Sequence, residues 1–238
     1  MLGVWFTFGP DTPCLVESVA SFREAAGPDA KIAIFDDERA PLSDDCVRAL
    51  HPDLRKITAF PRGGHLTGWS CVLGMLDCMR LACDELQEPG CVKIDSDTLV
   101  LGLDWLSEEA PLCGFVSGRN AYAVGMAYWI RRGCIEVVEQ SLAGRWKSDA
   151  WRAPEDQSIS TEALWRFGPA CVLHPWDLKW AGGWQYGRVP VSRYRECRVI
   201  TFGDRKLIDG CSCNNDRRLR AAMEMARFRH PVDNGPPA

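Results

Sequence analysis

Gly90-Cys91-Val92-Lys93-Ile94-Asp95-Ser96-Asp97-Thr98-Leu99-Val100-Leu101 is the stretch on which the reading of this chain turns. Cys91, Val92 and Ile94 form a short apolar run that follows a Pro89-Gly90 breaker and leads directly into two carboxylates. A run of this kind reads as a buried strand. In an extended segment residues i and i+2 point the same way, so Asp95 and Asp97 are expected to reach one cation from one side. Carboxylate oxygens suit Mg²⁺ or Mn²⁺, ions that also take substrate phosphates. A turn cap beside a solvated carboxylate would give the same short string, so its weight depends on its surroundings.

Upstream, Trp69–Leu86 carries Val72, Leu76, Met79, Cys83 and Leu86 at spacings of three and four, with Asp77, Arg80 and Asp84 on the opposite face. A helix is expected there, stopped by Pro89-Gly90. Residues 2–8 read as a first strand, broken by Gly9-Pro10-Asp11. A helix follows, with Thr12 as N-cap, Pro13 in its first position, Leu15, Val19 and Phe22 on its apolar face, and Gly27 past its end. Residues 31–35 form an expected second strand ending in Asp36-Asp37-Glu38. Residues 43–50 read as a short helix and 55–60 as a third strand. Strands alternating with helices imply a mostly parallel sheet flanked by helices, an α/β fold of Rossmann-like character. Ligands of such sheets sit at the carboxyl ends of the strands, where Thr7-Phe8-Gly9, Asp36-Asp37 and Asp95-Asp97 fall.

Downstream the pattern is less regular. Strands are expected at 113–117 and 121–130, followed by a helix over 133–142 with Ile135, Val138 and Leu142 on one face. Pro154, in a first helical position, opens another helix with Glu155-Asp156-Gln157 in its first turn. Then come a strand at 170–174, an aromatic and glycine-rich stretch from Trp176 to Tyr186, a strand at 197–202, and a basic helix within 214–230.

The chain has 238 residues, 46% hydrophobic and 25% charged, with a net charge of −4. That balance is globular and argues against a dedicated nucleic-acid binder. No run of about 18 apolar residues occurs, so no spanning helix is expected. Met1 to Phe6 lacks the basic start and cleavage site of an export signal and reads as a strand. A cytoplasmic location is therefore expected, with most of the 12 cysteines reduced and serving as small core residues. Cys211-Ser212-Cys213 is the one local pair; zinc binding there would need a second pair. From 186 to 230 there are 11 Lys and Arg against 5 Asp and Glu. This surplus suits either a solvated helix face or peripheral contact with the inner face of an anionic membrane.

Three segments in order carry a family resemblance. Val92-Lys93-Ile94-Asp95-Ser96-Asp97-Thr98-Leu99-Val100 resembles the strand and metal motif of GT-A fold glycosyltransferases, most closely family 8, whose pattern is near Leu-Asp-x-Asp-Thr-Leu-Val. Glu155-Asp156-Gln157 resembles the Asp-Gln that follows the family's acceptor region. Gly203-x-x-Lys206 resembles its C-terminal Gly-x-x-Lys, whose lysine meets the donor diphosphate. The family's metal-binding histidine falls on Ile200 here, Lys206 is followed by Leu207-Ile208 rather than Pro-Trp, and Ala123-Val124-Gly125-Met126 echoes its Asn-x-Gly-Val only loosely.

The resemblance implies one GT-A-like domain over 1–238. Residues 1–100 would form the nucleotide-sugar-binding half and 101–213 a smaller acceptor-side β portion, with the basic helix at 214–230 and a flexible tail at 231–238. It implies a hexosyltransferase-type enzyme that uses a nucleoside-diphosphate sugar, with a UDP-sugar the expected donor, Mn²⁺ or Mg²⁺, and a glycan, lipid or protein acceptor. Asp95 and Asp97 would hold the metal, with Asp95 also reaching ribose. The third ligand stays open between His174, Asp204, water and diphosphate oxygens. Donor-binding residues are expected among Thr7, Phe8, Gly9, Asp36, Asp37, Trp69, Asp95, Gly203 and Lys206, with His65 also within reach of the donor. Trp184 and Tyr186 would stack on acceptor sugar. Asp156 (or Glu155) would act as general base if the configuration inverts; Gln157 would sit beside the anomeric carbon, positioned by Asp156, if it is retained. Two other classes remain open: a nucleotidyltransferase, although Gly9-Pro10-Asp11 lacks that class's glycine-rich lysine loop, and a non-catalytic nucleotide-sugar-binding protein.

Overall fold

The structure, a computed structural model, describes residues 1–7, 13–60, 68–116, 122–145, 153–177, 180–182 and 196–201. Seven strands form one sheet in the order β3-β2-β1-β4-β7-β6-β8. These are β1 (Leu2–Phe6), β2 (Lys31–Asp37), β3 (Leu54–Thr58), β4 (Gly90–Ile94), β6 (Leu112–Val116), β7 (Ala127–Arg131) and β8 (Val172–Pro175). Every pairing is parallel except those of β7, which runs antiparallel to both β4 and β6. A second sheet, β5-β10-β9, joins β5 (Thr98–Val100), β10 (Val199–Thr201) and β9 (Ala181–Gly182). The mostly parallel α/β architecture expected from the alternation is the one observed.

Strand alternation sends side chains to two cores. Leu2, Val4, Phe6, Ala33, Phe35 and Cys91 pack under α3 (Trp69–Leu86), α4 (Arg132–Arg145) and α5 (Glu155–Phe167). Trp5, Ile32, Ile34, Val92 and Ile94 pack on the other face with α1 (Pro13–Ala26) and α2 (Asp44–Leu50). The long helix α3 has the bounds its periodicity predicts, but Gln87 ends it rather than Pro89-Gly90. Gln87 adopts φ 55°, and the Glu88 amide donates back to the Cys83 carbonyl at 2.9 Å, a Schellman-type close.

Beneath the centre of the sheet, Gly3 leaves room for the Trp5 indole, since a Cβ there would stand 2.6 Å from the ring. The indole N–H donates to the Ser18 hydroxyl at 3.0 Å, and that hydroxyl donates to the Thr98 carbonyl at 2.6 Å. The Val100 amide donates to the Ser21 hydroxyl at 3.0 Å. Two buried serines on α1 thus anchor the segment that follows β4.

Two local expectations are corrected, and one strand is added. The strand expected over 121–130 is only Ala127–Arg131. The backbone before it bonds instead to side chains of α5: the Ala123 amide to the Ser160 hydroxyl at 2.8 Å and the Gly125 amide to Asp156 at 2.7 Å. Pro154 is the extended N-cap of α5, with φ −63° and ψ 162°, not its first helical residue. Thr98–Val100 is a separate strand that pairs with β10. The basic helix and tail expected after 213 lie outside the described residues. Among the described residues no helix is long and apolar enough to cross a membrane.

Candidate functional site

The chain leaves β1 toward β2 and β3, then crosses back to place β4 on the other side of β1. The strand order reverses between β1 and β4, and the carboxyl ends of these strands flank the crevice where such sheets take ligands. Thr7 directly follows β1 and Asp95 directly follows β4. Asp95 does not continue the strand. Its amide makes one last bond in the β4/β7 register, to the Met126 carbonyl at 2.9 Å, but the Thr98 amide then donates back to the Asp95 carbonyl at 3.1 Å. Asp95 to Thr98 is therefore a turn, and the alternation that put Asp95 and Asp97 on one side applies only up to Ile94. The two carboxylates still share that one turn at the mouth of the crevice.

Directly below Asp95, Lys93 is 1% exposed. It lies on the face covered by α3, α4 and α5, opposite Tyr128 of β7. An ammonium has three N–H donors, and all three have acceptors here: Asp95 Oδ1, the Gly125 carbonyl at 2.7 Å and Glu155 Oε1 at 2.9 Å. Burial alone would lower the Lys93 pKa, but Asp95 and Glu155 outweigh it and hold it above its ordinary value.

The first turn of α5 packs against the end of β4 and the segment that leads into β7. Glu155 is buried, and burial, opposed by Lys93 and reinforced by Asp156 and Asp95, raises its pKa to about 7. Asp156 accepts from the Gly125 amide through Oδ2 and from the Gln157 amide through Oδ1, each at 2.7 Å. Burial, only partly offset by Lys93 and those two amides, pushes the Asp156 pKa upward. The Gln157 side chain is exposed. Residue 125 must be glycine for this approach, because a Cβ would stand 2.9 Å from Glu155 Oε1 and 3.2 Å from Asp156 Cβ and Oδ2. The Tyr128 ring lies 5.8 Å from Lys93 Nζ. Its hydroxyl is buried with no hydrogen-bond partner among the described residues, and burial with nearby Glu155 and Asp156 raises its pKa well above normal.

The remaining expected site residues divide by place. Asp36, fully buried, accepts from the Thr7 hydroxyl at 2.8 Å, the Leu42 amide at 3.0 Å and Arg55 at 2.7 Å. Its bonds tie the ends of β1 and β2 to the next loop. Asp37 pairs with the more exposed Arg39 through two bonds at 2.6 and 3.0 Å. Trp69 is 8% exposed and packs in the core at the start of α3. Ile200 is fully buried in β10, paired with Leu99 and Gly182. His174 Nε2 lies 2.7 Å from the Trp105 carbonyl oxygen, and its ring sits 4.8 Å from that of Trp180. Phe8, Gly9, His65, Trp184, Tyr186, Gly203, Asp204, Lys206, Cys211 and Cys213 lie outside the described residues.

Among the described residues no group of three or more His, Cys, Asp or Glu is placed to hold a metal ion. Asp95 and Asp97 offer hard oxygen donors of the type that suits Mg²⁺ or Mn²⁺, with one Asp95 oxygen bonded to Lys93. Any cation held by this pair would need further oxygens from a bound phosphate, water or residues outside those described.

Sequence reasoning overlooked Lys93 and Gly125. A lysine inside a run expected to be buried is itself a signal, because a buried ammonium must be paired. Asp95 two residues on was the partner in view. Glu155 is the partner that only the fold supplies.

No protein-family model and no curated protein sequence matches this chain. A solved structure does: a glycosyltransferase involved in the glycosylation of the major capsid of PBCV-1 aligns over 92% of this chain and 98% of its own, with a TM-score of 0.51 and 9% sequence identity. At that identity the likeness is one of fold, and the fold is GT-A-like.

Proposed function

We propose that the protein is a glycosyltransferase that moves a sugar from a nucleoside-diphosphate sugar, with a UDP-sugar as the favoured donor, to an acceptor hydroxyl. The observation that carries this reading is that Asp95 and Asp156 are linked through Lys93 and the Gly125 peptide at the carboxyl end of β4, one of the two strands that flank the switch point. The fold likeness to a glycosyltransferase supports it.

In this reading the acceptor oxygen forms a bond to the anomeric carbon as the bond from that carbon to the diphosphate oxygen breaks. The acceptor proton passes to Asp156. Two backbone amides hold that carboxylate in place, and its raised pKa makes it a stronger base than an ordinary aspartate. This assignment favours inversion; if the configuration is retained, the exposed Gln157 side chain is the group beside the anomeric carbon. Asp95 and Asp97 would hold Mn²⁺ or Mg²⁺, which would offset the charge of the leaving diphosphate. Lys206 and Gly203 would meet the same diphosphate. Thr7, Phe8, Gly9 and Asp37 would line the base side, with Asp36 fixing that edge from beneath, and Trp69 would bear on the donor through its place at the start of α3. Trp184 and Tyr186 would stack on the acceptor.

A second reading, a nucleotide-sugar-binding protein without turnover, draws on Ile200. It is packed into β10 where the resemblance would place a metal-binding histidine.

A thermal-shift panel of UDP-, GDP-, ADP- and CMP-sugars, with and without Mn²⁺, tests the donor site. One nucleotide-sugar is expected to raise the melting temperature, with a larger rise when Mn²⁺ is present. No shift from any of them would remove both readings, and a shift unchanged in Asp97→Ala would remove the metal role. Binding without hydrolysis or transfer across a broad acceptor set would favour the second.

A further inference from the structure

Lys93 is bonded to three separate segments of the chain. Its ammonium meets Asp95 at the end of β4, the Gly125 carbonyl at 2.7 Å, and Glu155 Oε1 in the first turn of α5 at 2.9 Å. The peptide linkage then continues. The Gly125 amide donates to Asp156 Oδ2 at 2.7 Å, and the space that a Cβ would need at residue 125 is filled by Glu155 and Asp156. Lys93 is 1% exposed, so it lies beneath the crevice and does not reach a substrate at its mouth.

A buried ion pair of this kind is weak evidence of added stability, since apolar replacements of similar volume are often as stable. What the ammonium supplies is geometry. Its three donors diverge in fixed directions, and each is taken by a different segment: the turn after β4, the backbone at 125, and α5. We infer that Lys93 is a positioning residue that fixes Asp95 relative to Asp156 through the Gly125 peptide, so that the donor-side carboxylate and the acceptor-side base keep one spacing. The roles of those two carboxylates rest on the transferase reading above; the linkage itself does not.

Removing Lys93 alone would leave Glu155 buried without its partner and destabilise the protein. The test therefore compares Lys93→Met/Glu155→Gln, which removes one positive and one negative charge together, with Glu155→Gln alone. Lys93→Gln/Glu155→Gln serves as a second, polar version should the first fail to fold. Hydrogen exchange and the ¹H–¹⁵N shift of the Gly125 amide are read in all three. The double variants are expected to exchange that amide at least tenfold faster than Glu155→Gln, while the Val72 and Leu76 amides in α3 keep their rates. At matched folded fraction, kcat is expected to fall at least tenfold below Glu155→Gln, and the donor KM to rise at least threefold. A Gly125 amide with the same exchange and shift in double and single variants would overturn the inference, as would kcat and donor KM both within twofold. Absence of any turnover in the wild-type protein would count against the transferase reading alone, and the Gly125 amide would still decide the role of Lys93.

Discussion

Lys93 Nζ and Glu155 Oε1 stand 2.9 Å apart across 62 residues of chain, with side chains 1% and 5% exposed. Breaking such a pair by removing one partner costs about 3–5 kcal/mol, because the other charge is left buried and uncompensated. Lys93→Met is expected to lose stability on that scale in urea unfolding, and Glu155→Gln introduced with it is expected to restore most of the loss. A double variant no more stable than Lys93→Met would mean that the two side chains do not share one environment.

The pH dependence of stability follows from Glu155. Burial raises its folded pKa to about 7, above the ordinary carboxylate range, so the folded state holds that proton more tightly than the unfolded chain. The contribution of this group to stability is full below its ordinary carboxylate range and is lost as pH rises through about 7. Asp156, also raised, acts in the same direction. Urea unfolding between pH 5 and 8 should therefore show a fall in stability in the wild type that is smaller in Glu155→Gln. Identical profiles would contradict the burial of an ionisable Glu155.

Gly125→Ala tests the close approach of the 125 backbone to α5. The added Cβ would meet Glu155 Oε1 at 2.9 Å and Asp156 at 3.2 Å, so either the helix start or the 125 segment must shift. A loss of about 1–3 kcal/mol is expected from overpacking, and the transfer rate should fall further than stability does. Full activity in this variant would show that the spacing of Asp156 is not critical.

Ser18→Ala removes the acceptor of the Trp5 indole N–H and the donor to the Thr98 carbonyl. Both partners are buried, so a cost of about 1–3 kcal/mol is expected. Because Thr98 closes the turn that carries Asp95 and Asp97, donor affinity should fall as well. Calorimetric titration of the donor alongside urea unfolding separates the two effects.

Local pattern made much of this legible. Val72, Leu76, Met79 and Cys83 recur on one helical face, and α3 has the bounds that periodicity predicts. The strand-helix alternation up to Ile94 likewise gave the parallel sheet. Lys93 was harder, because its meaning depends on Glu155 and Gly125, which reach it only when β7 pairs with β4 and α5 closes over them. The turn at Asp95 was hidden by the apolar Thr98-Leu99-Val100, whose strand pairing is with β10, about a hundred residues on. The 122–126 segment carries strand-like residues, yet the Ala123 and Gly125 amides are claimed by Ser160 and Asp156, which no local rule anticipates.

The most direct test of the account is the rate at which Asp156→Asn transfers sugar once a donor is identified. The variant keeps the shape of the side chain and an oxygen that can accept from the Gly125 amide, but loses the base. The account predicts donor affinity within about threefold of wild type and a transfer rate lower by about 10²–10⁴. A variant that transfers sugar as fast as the wild-type protein would contradict it.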